Sequence, residues 1–111
     1  MIAFHETVHK LNHDNPDLLL LGEYMWNNTG ENTKRSRLRD AIEQKYDEED
    51  RLDEMSAYVI SECMIEGRIP QLMDVLDAEN QDRLRIILNA IGYDTERETR
   101  VRSGNARRGV A

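Results

Sequence analysis

Three histidines near the start of the chain carry its clearest potential for metal chemistry. The stretch from His5 to His9 reads HETVH, His13 follows, and these are the 3 histidines of the chain. On a helix, side chains four residues apart lie on the same face, one turn above another. Two neutral imidazoles in that arrangement can chelate one zinc ion, and a nearby carboxylate can act as a base toward zinc-bound water.

The HETVH stretch resembles the HExxH motif of zincin metalloproteases. The resemblance implies zinc ligands at His5 and His9, with Glu6 as the general base and Glu23 as a possible third ligand of the gluzincin type. It covers five residues only, and His13 lies roughly 12 Å from His5 along a helix, too far for all three histidines to share an ion. A zinc-dependent hydrolase is therefore the alternative hypothesis. The simpler interpretations are a polar helix flank or a metal clip formed by two neighbouring histidines.

A run of carboxylates lies in the middle of the chain. Between Tyr46 and Glu54, six of nine residues are acidic: Asp47, Glu48, Glu49, Asp50, Asp53 and Glu54. Such a run is usually a solvated helix face. It can also bind the basic surface of a partner, as small acidic proteins do when they imitate the phosphate spacing of DNA. That attraction is Coulombic and weakens as salt is added.

A basic run precedes the acidic one and contains four cations: Lys34, Arg35, Arg37 and Arg39. If a helix begins at Thr33, these cations lie at the positive end of its dipole, which is unfavourable. We therefore expect the basic run to make a contact, either with the acidic run or with a partner. Together with the arginines of residues 94–111 it could bind nucleic acid, which is a second alternative. The run lacks the interleaved aromatic residues that stack on bases.

Length and composition limit the possible classes of protein. The chain has 111 residues, enough for one domain, and its 5% aromatic content leaves Leu, Ile, Val and Met to build the core. The net charge is −7. Residues 94–111 carry five arginines and three acidic residues, which leaves −9 on residues 1–93. An acidic surface of this size repels nucleic acids and anionic membranes and attracts basic partners.

Cellular location is indicated by what the composition lacks. Cys63 is the single cysteine, so no intramolecular disulfide can form, as is usual in a reducing compartment. No apolar run approaches the roughly 20 residues of a membrane span, and no signal-peptide pattern is seen. We predict a cytoplasmic protein.

Apolar spacing and capping residues predict helices along most of residues 1–93. The first helix ends near Asp14, and the second contains four consecutive leucines, which predicts that it is the most buried one. Gly22 within it would permit a close helix crossing. A third helix starts at Thr33 or at Asp40, and a fourth runs from about Glu49 to Glu66.

The sequence thus predicts an all-α protein, a compact bundle of four to five short helices over residues 1–93, with residues 94–111 as a flexible Arg-rich tail. The leading functional hypothesis is a small regulatory, inhibitor or assembly protein of the phage or mobile-element type. It would bind a basic partner surface, such as that of a nucleic-acid-binding enzyme, through the acidic run, assisted by the basic run. It needs no cofactor and no catalytic residue, and we lean against an enzyme.

Overall fold

The computed structural model describes residues 2–93, with side chains from Phe4 onward. Within that range the chain forms six α-helices, one 3-10 turn and no strand. They are α1 (Ile2–Asp14), the turn Pro16–Leu18, α2 (Leu19–Asn27), α3 (Lys34–Lys45), α4 (Glu48–Glu66), α5 (Ile69–Asp74) and α6 (Ala78–Ile91). The all-α prediction is confirmed, with six helices over these residues in place of the four to five expected. The predicted tail at 94–111 lies outside the described residues. Over the same range, no helix has both the length and the apolar character needed to cross a membrane.

The centre of the fold is α4, against which α1, α2, α3 and α5 all pack. Met55, Val59 and Cys63 form an apolar stripe along this helix and are buried. Ser56, Ala57 and Ser61 are buried as well, so the helix is enclosed on more than one face. The prediction that the leucine-rich second helix is the most buried was wrong. Within α2 only Leu21, Gly22 and Met25 are buried, and Leu20 is 43% exposed.

The crossing of α2 and α4 depends on Gly22. A Cβ atom added there would collide with the backbone carbonyl of Leu52 and would lie 3.4 Å from Cβ of Ser56. Only glycine lets the two helix backbones approach this closely, because any other residue would force one helix away from the other. The close crossing that the sequence suggested at Gly22 is therefore present.

Capping residues set the other helix ends that matter for the site. Helix α3 begins at Lys34, not at Asp40, because Thr33 and Ser36 form a capping box in which each side chain accepts from the other's backbone N–H. Helix α4 ends at Gly67, whose φ of 69° lies in the left-handed region that glycine adopts readily. Pro70 then occupies the first turn of α5.

Candidate functional site

The crossing of α1 and α4 brings the histidine stripe to the acidic run. His5 and His9 lie one turn apart on α1; His5 contacts Glu54 on α4, and His9 contacts both Asp53 and Glu54. Side-chain exposures of 19% for His5, 21% for His9 and 12% for Glu54 place the cluster at the edge of the core. One ligand atom from each of these three residues lies within 4.8 Å of the other two. We call His5, His9, Asp53 and Glu54 the His–acid cluster.

His9 has a carboxylate on each side of its ring. Its Nδ1 lies 2.7 Å from Oδ2 of Asp53, and its Nε2 lies 3.1 Å from Oε1 of Glu54. The shorter contact places a proton on Nδ1, which donates it to Asp53. If the ring is neutral, Nε2 keeps its lone pair and faces Oε1 of Glu54, an arrangement that is repulsive unless a proton or a cation lies between the two atoms.

His5 completes the cluster from the first turn of α1. Its Nε2 lies 3.4 Å from Oε2 of Glu54, an ion-pair distance and not a hydrogen bond. Its ring packs edge-on against the rings of His9 and Tyr58, each with a centroid separation of 4.6 Å. Oε2 of Glu54 is buried and accepts no hydrogen bond within the described residues. An anionic oxygen in that position is costly unless a cation approaches it.

Asn12 holds the carboxylate behind His9. It is 2% exposed, and its Nδ2 donates to Oδ1 of Asp53 at 2.7 Å and to Oγ of Ser56 at 3.5 Å. Asp53 therefore accepts from α1 at both of its oxygens, from Asn12 and from His9. These two contacts fix the position of the His9 ring relative to Glu54.

Two tyrosines line the side of the cluster next to Glu54. The hydroxyls of Tyr46 and Tyr58 lie 3.3 Å apart. The pKa of the Tyr46 phenol is raised, first by its hydrogen bond with Tyr58, then by burial and by the negative charge of Glu54. The Tyr46 hydroxyl therefore stays protonated at neutral pH.

The N-terminal half of the acidic run lies apart from this cluster. Asp47 is the N-cap residue of α4 and Glu48, Glu49 and Asp50 form its first turn; all four are exposed. We call these four residues the outer acidic turn. Oxygens of Asp47, Glu49 and Asp50 come within 4.8 Å of one another, and Asp47, Glu48 and Glu49 line a shallow open depression. Across residues 2–93, no ion pair involves any of the four.

The basic run is largely occupied by contacts within the protein. Lys34 pairs with Glu62 and lies 3.4 Å from Glu66, and its pKa is raised mainly by the hydrogen bond to Glu62. Arg35 donates to the buried Sγ of Cys63 at 3.5 Å.

Arg39 donates to the backbone carbonyl of Trp26 at 2.9 Å, lies 4.8 Å above the Trp26 ring, and pairs with Glu43. Arg37 is exposed. The contact expected for the basic run is thus made mainly with α4 and with Trp26, and not with the outer acidic turn.

The structure therefore rearranges the predicted site residues. His5 and His9 come together as the HETVH spacing indicated, whereas Glu6, His13 and Glu23 are exposed and lie outside the cluster. The carboxylate that contacts both histidines is Glu54, a member of the acidic run. Its role was not recognised in the sequence, because 45 residues separate it from His9 and no spacing rule joins them.

Comparison of the chain with protein-family models, with curated proteins and with solved structures gives no significant match. A functional assignment for this chain therefore rests on its own residues and their geometry.

Proposed function

We propose that this protein is a binding module that attaches to a basic surface of a partner protein through the outer acidic turn. The observation that carries the proposal is that four adjacent carboxylates are exposed and none of them forms an ion pair within residues 2–93. Some other exposed acids are paired, such as Glu66 with Arg68 and Asp82 with Arg85. Exposed acids that form no ion pair within residues 2–93, such as Asp14 and Glu23, stand singly and not in one turn.

Local contacts leave the charge of the outer acidic turn uncompensated. Asp47 is the N-cap residue of α4, but its side chain accepts no capping hydrogen bond. The positive end of a helix dipole is equivalent to only about half an elementary charge, against four negative ones here. Arg51, the cation within the acidic run, donates instead to the backbone carbonyls of Tyr46 and Glu43 at 3.2 and 3.3 Å.

The contacts of the basic run within the protein favour binding of a basic partner surface over nucleic-acid binding. Lys34 and Arg39 are paired with carboxylates, which lowers the positive charge that the run presents to a phosphate backbone. A basic cleft that normally holds nucleic acid is the complementary surface for an unpaired acidic turn. The proposed role is therefore that of a regulatory or inhibitory protein that competes with nucleic acid for such a cleft.

Capture of the partner from an extract of the source cells tests the proposal when two charge-reversed variants are compared. The test variant changes Asp47, Glu48, Glu49 and Asp50 to Lys. The control variant makes the same change in net charge at exposed carboxylates on other elements: Asp14, Glu23, Glu31 and Glu79. A partner bound through the outer acidic turn is retained by the wild type and by the control, and it is lost from the test variant.

Salt and DNA provide two further readouts of the same complex. Sodium chloride near 1 M, where the screening length is about 3 Å, should release the partner. Added duplex DNA should release it as well, if the occupied surface is a nucleic-acid cleft. Equal loss of binding in both variants would contradict the proposal, because it would show an effect of total charge and not of this turn. Retention of the partner by the test variant would contradict it too.

A further inference from the structure

We propose that the His–acid cluster is a binding site for a transition-metal ion of the zinc type, held by His5 Nε2, His9 Nε2 and the Glu54 carboxylate. The inference is independent of the proposed binding function, because it concerns the α1–α4 crossing and not the outer acidic turn. Imidazole and carboxylate are both ordinary zinc ligands, and two histidines with one glutamate form a known ligand set for this metal.

The distances agree with a tetrahedral site. Zinc bonds of 2.0–2.1 Å to nitrogen and oxygen imply ligand atoms about 3.3 Å apart at the corners of a tetrahedron. The nitrogen–oxygen separations are 3.1 Å from His9 Nε2 to Oε1 of Glu54 and 3.4 Å from His5 Nε2 to Oε2 of the same carboxylate, so each histidine faces a different oxygen. Small side-chain adjustments would therefore bring three ligands around one ion, with a water molecule in the fourth position.

The residues behind the ligands orient His9 for this role. Metal-bound histidines usually donate their second ring N–H to a carboxylate, which fixes the tautomer and makes the ligating nitrogen more basic. Asp53 provides that carboxylate at 2.7 Å from Nδ1 of His9, and Asn12 fixes Asp53 at 2.7 Å from the other side. Two helices that only carried charged residues would not need Asp53 to orient His9, or Asn12 to fix Asp53.

The buried oxygen of Glu54 is an independent observation that points to a cation. Oε2 of Glu54 is buried and accepts no hydrogen bond within the described part of the chain, although His5 Nε2 lies 3.4 Å from it. A metal ion would compensate that charge and would join α1 to α4, two helices that are 34 residues apart along the chain, from Asp14 to Glu48. The main role of the ion would be to stabilise this crossing.

Zinc titration of the full chain, expressed without a histidine tag and stripped with a chelator, tests the site. We expect one equivalent of zinc to bind, with a Kd on the order of 1 µM or lower. At a 100-fold excess of zinc over Kd the midpoint of thermal unfolding should rise by roughly 10 °C. Co²⁺ should bind in its place and give visible d–d absorption.

Variants of the histidines provide the matched comparison. His9→Ala and His5→Ala should each raise the Kd for zinc by about 100-fold or more, and Asp53→Asn, which alters a positioning residue, by roughly 10-fold. His13→Ala is the control, because His13 is exposed on the same helix and lies outside the cluster. It should change the Kd by less than about twofold. Circular dichroism without metal establishes that each variant is folded.

A measurement on the wild type covers the case in which a variant fails to fold. In an NMR titration the ring signals of His5 and His9 should move together up to one equivalent of zinc, while those of His13 stay in place. The proposal is overturned if zinc leaves all three rings unchanged, because the cluster would then be a set of histidine–carboxylate ion pairs. It is also overturned if His9 and His13 move together, which would indicate a surface clip of two neighbouring histidines.

Discussion

The two halves of the acidic run differ in what surrounds them, although their sequences look alike. The outer acidic turn, from Asp47 to Asp50, is exposed and forms no ion pair within residues 2–93. Three residues further along α4, Asp53 and Glu54 are shielded by α1 and contact its histidines and Asn12. Continuous charge in a sequence therefore need not form one surface, because a helix turns successive residues toward different neighbours.

The two halves of the acidic run should contribute to different properties of the protein. Contacts of the inner half are partly withdrawn from water, where hydrogen bonds to a charged group stabilise a fold by roughly 1.5–3 kcal/mol. Charges of the outer half are screened by water and salt and contribute little to stability. The inner half should thus matter for folding and metal binding, and the outer half for association with a partner.

The largest effect is expected from Gly22→Ala, which alters the position of α4 as a whole. The new methyl group would meet the carbonyl of Leu52, at a cost of up to about 3 kcal/mol, whereas the gain in helix propensity is only about 1 kcal/mol. We expect a net loss of about 2 kcal/mol in the free energy of unfolding, measured with urea. The neighbouring exposed change Glu23→Ala should stay within about 0.5 kcal/mol. A neutral or stabilised Gly22→Ala variant would show that the crossing can open without loss.

Asp53→Ala tests the inner half directly, with Asp50→Ala as the matched change in the outer half. Removal of Asp53 takes away acceptors from both His9 and Asn12 and leaves the amide of Asn12, which is 2% exposed, without its main partner. The expected loss is about 1.5 kcal/mol in the free energy of unfolding, against about 0.5 kcal/mol for Asp50→Ala.

A double-mutant cycle with Asn12→Ala should give a coupling energy of about 1 kcal/mol with Asp53 and none with Asp50. Equal losses for Asp53→Ala and Asp50→Ala would remove the distinction between the two halves of the run.

Neutralising the outer half should separate association from stability. In the variant with Glu48→Gln and Glu49→Gln, the loss of favourable charge at the start of α4 is offset by weaker repulsion between neighbouring carboxylates. The free energy of unfolding should therefore change by less than about 1 kcal/mol. Binding to the captured partner should weaken at low salt. If the free energy of unfolding fell by several kcal/mol instead, the outer acidic turn would contribute to the stability of the fold.

The smallest effect concerns the ionisation of Tyr46, which reports on the inner half without unfolding the protein. Because its pKa is raised above the ordinary value of 10.0, this tyrosine should ionise later than an exposed one in an alkaline absorbance titration. Tyr58→Phe should lower the pKa of Tyr46 most, since the hydrogen bond is the main cause, and Glu54→Gln should lower it less. Asp50→Asn should leave it unchanged, and a shift in that variant would contradict the separation of the two halves.

The positions of the helices were largely predictable from local signals, but which helix lies at the centre of the fold was not. The predicted helix ends near Asp14 and at Glu66 are confirmed, because helix ends depend on a few adjacent residues. How deeply each helix is buried depends on which helices pack against it. Four leucines made α2 look central, whereas the small buried residues Ser56, Ala57 and Ser61 let other helices pack around α4. Those small residues beside the apolar stripe were the available signal.

The candidate site was predictable in the same partial way. The four-residue spacing correctly placed His5 and His9 on one face, since helical geometry alone determines it. Their partners on α4 depend on how two helices cross, which local sequence does not specify. The placement of Glu54 against α1, and of Lys34 against Glu62, therefore emerged only from the structure.

The central position of α4 also has a consequence for how the protein is made. Helix α3 packs chiefly on α4, and α1 and α2 contact α4 more than they contact each other. A nascent chain that ends before α4 would lack the surface on which the earlier helices are assembled. Folding during synthesis should therefore start only after Glu66 has left the ribosome, and until then α1–α3 would be substrates for chaperones and proteases.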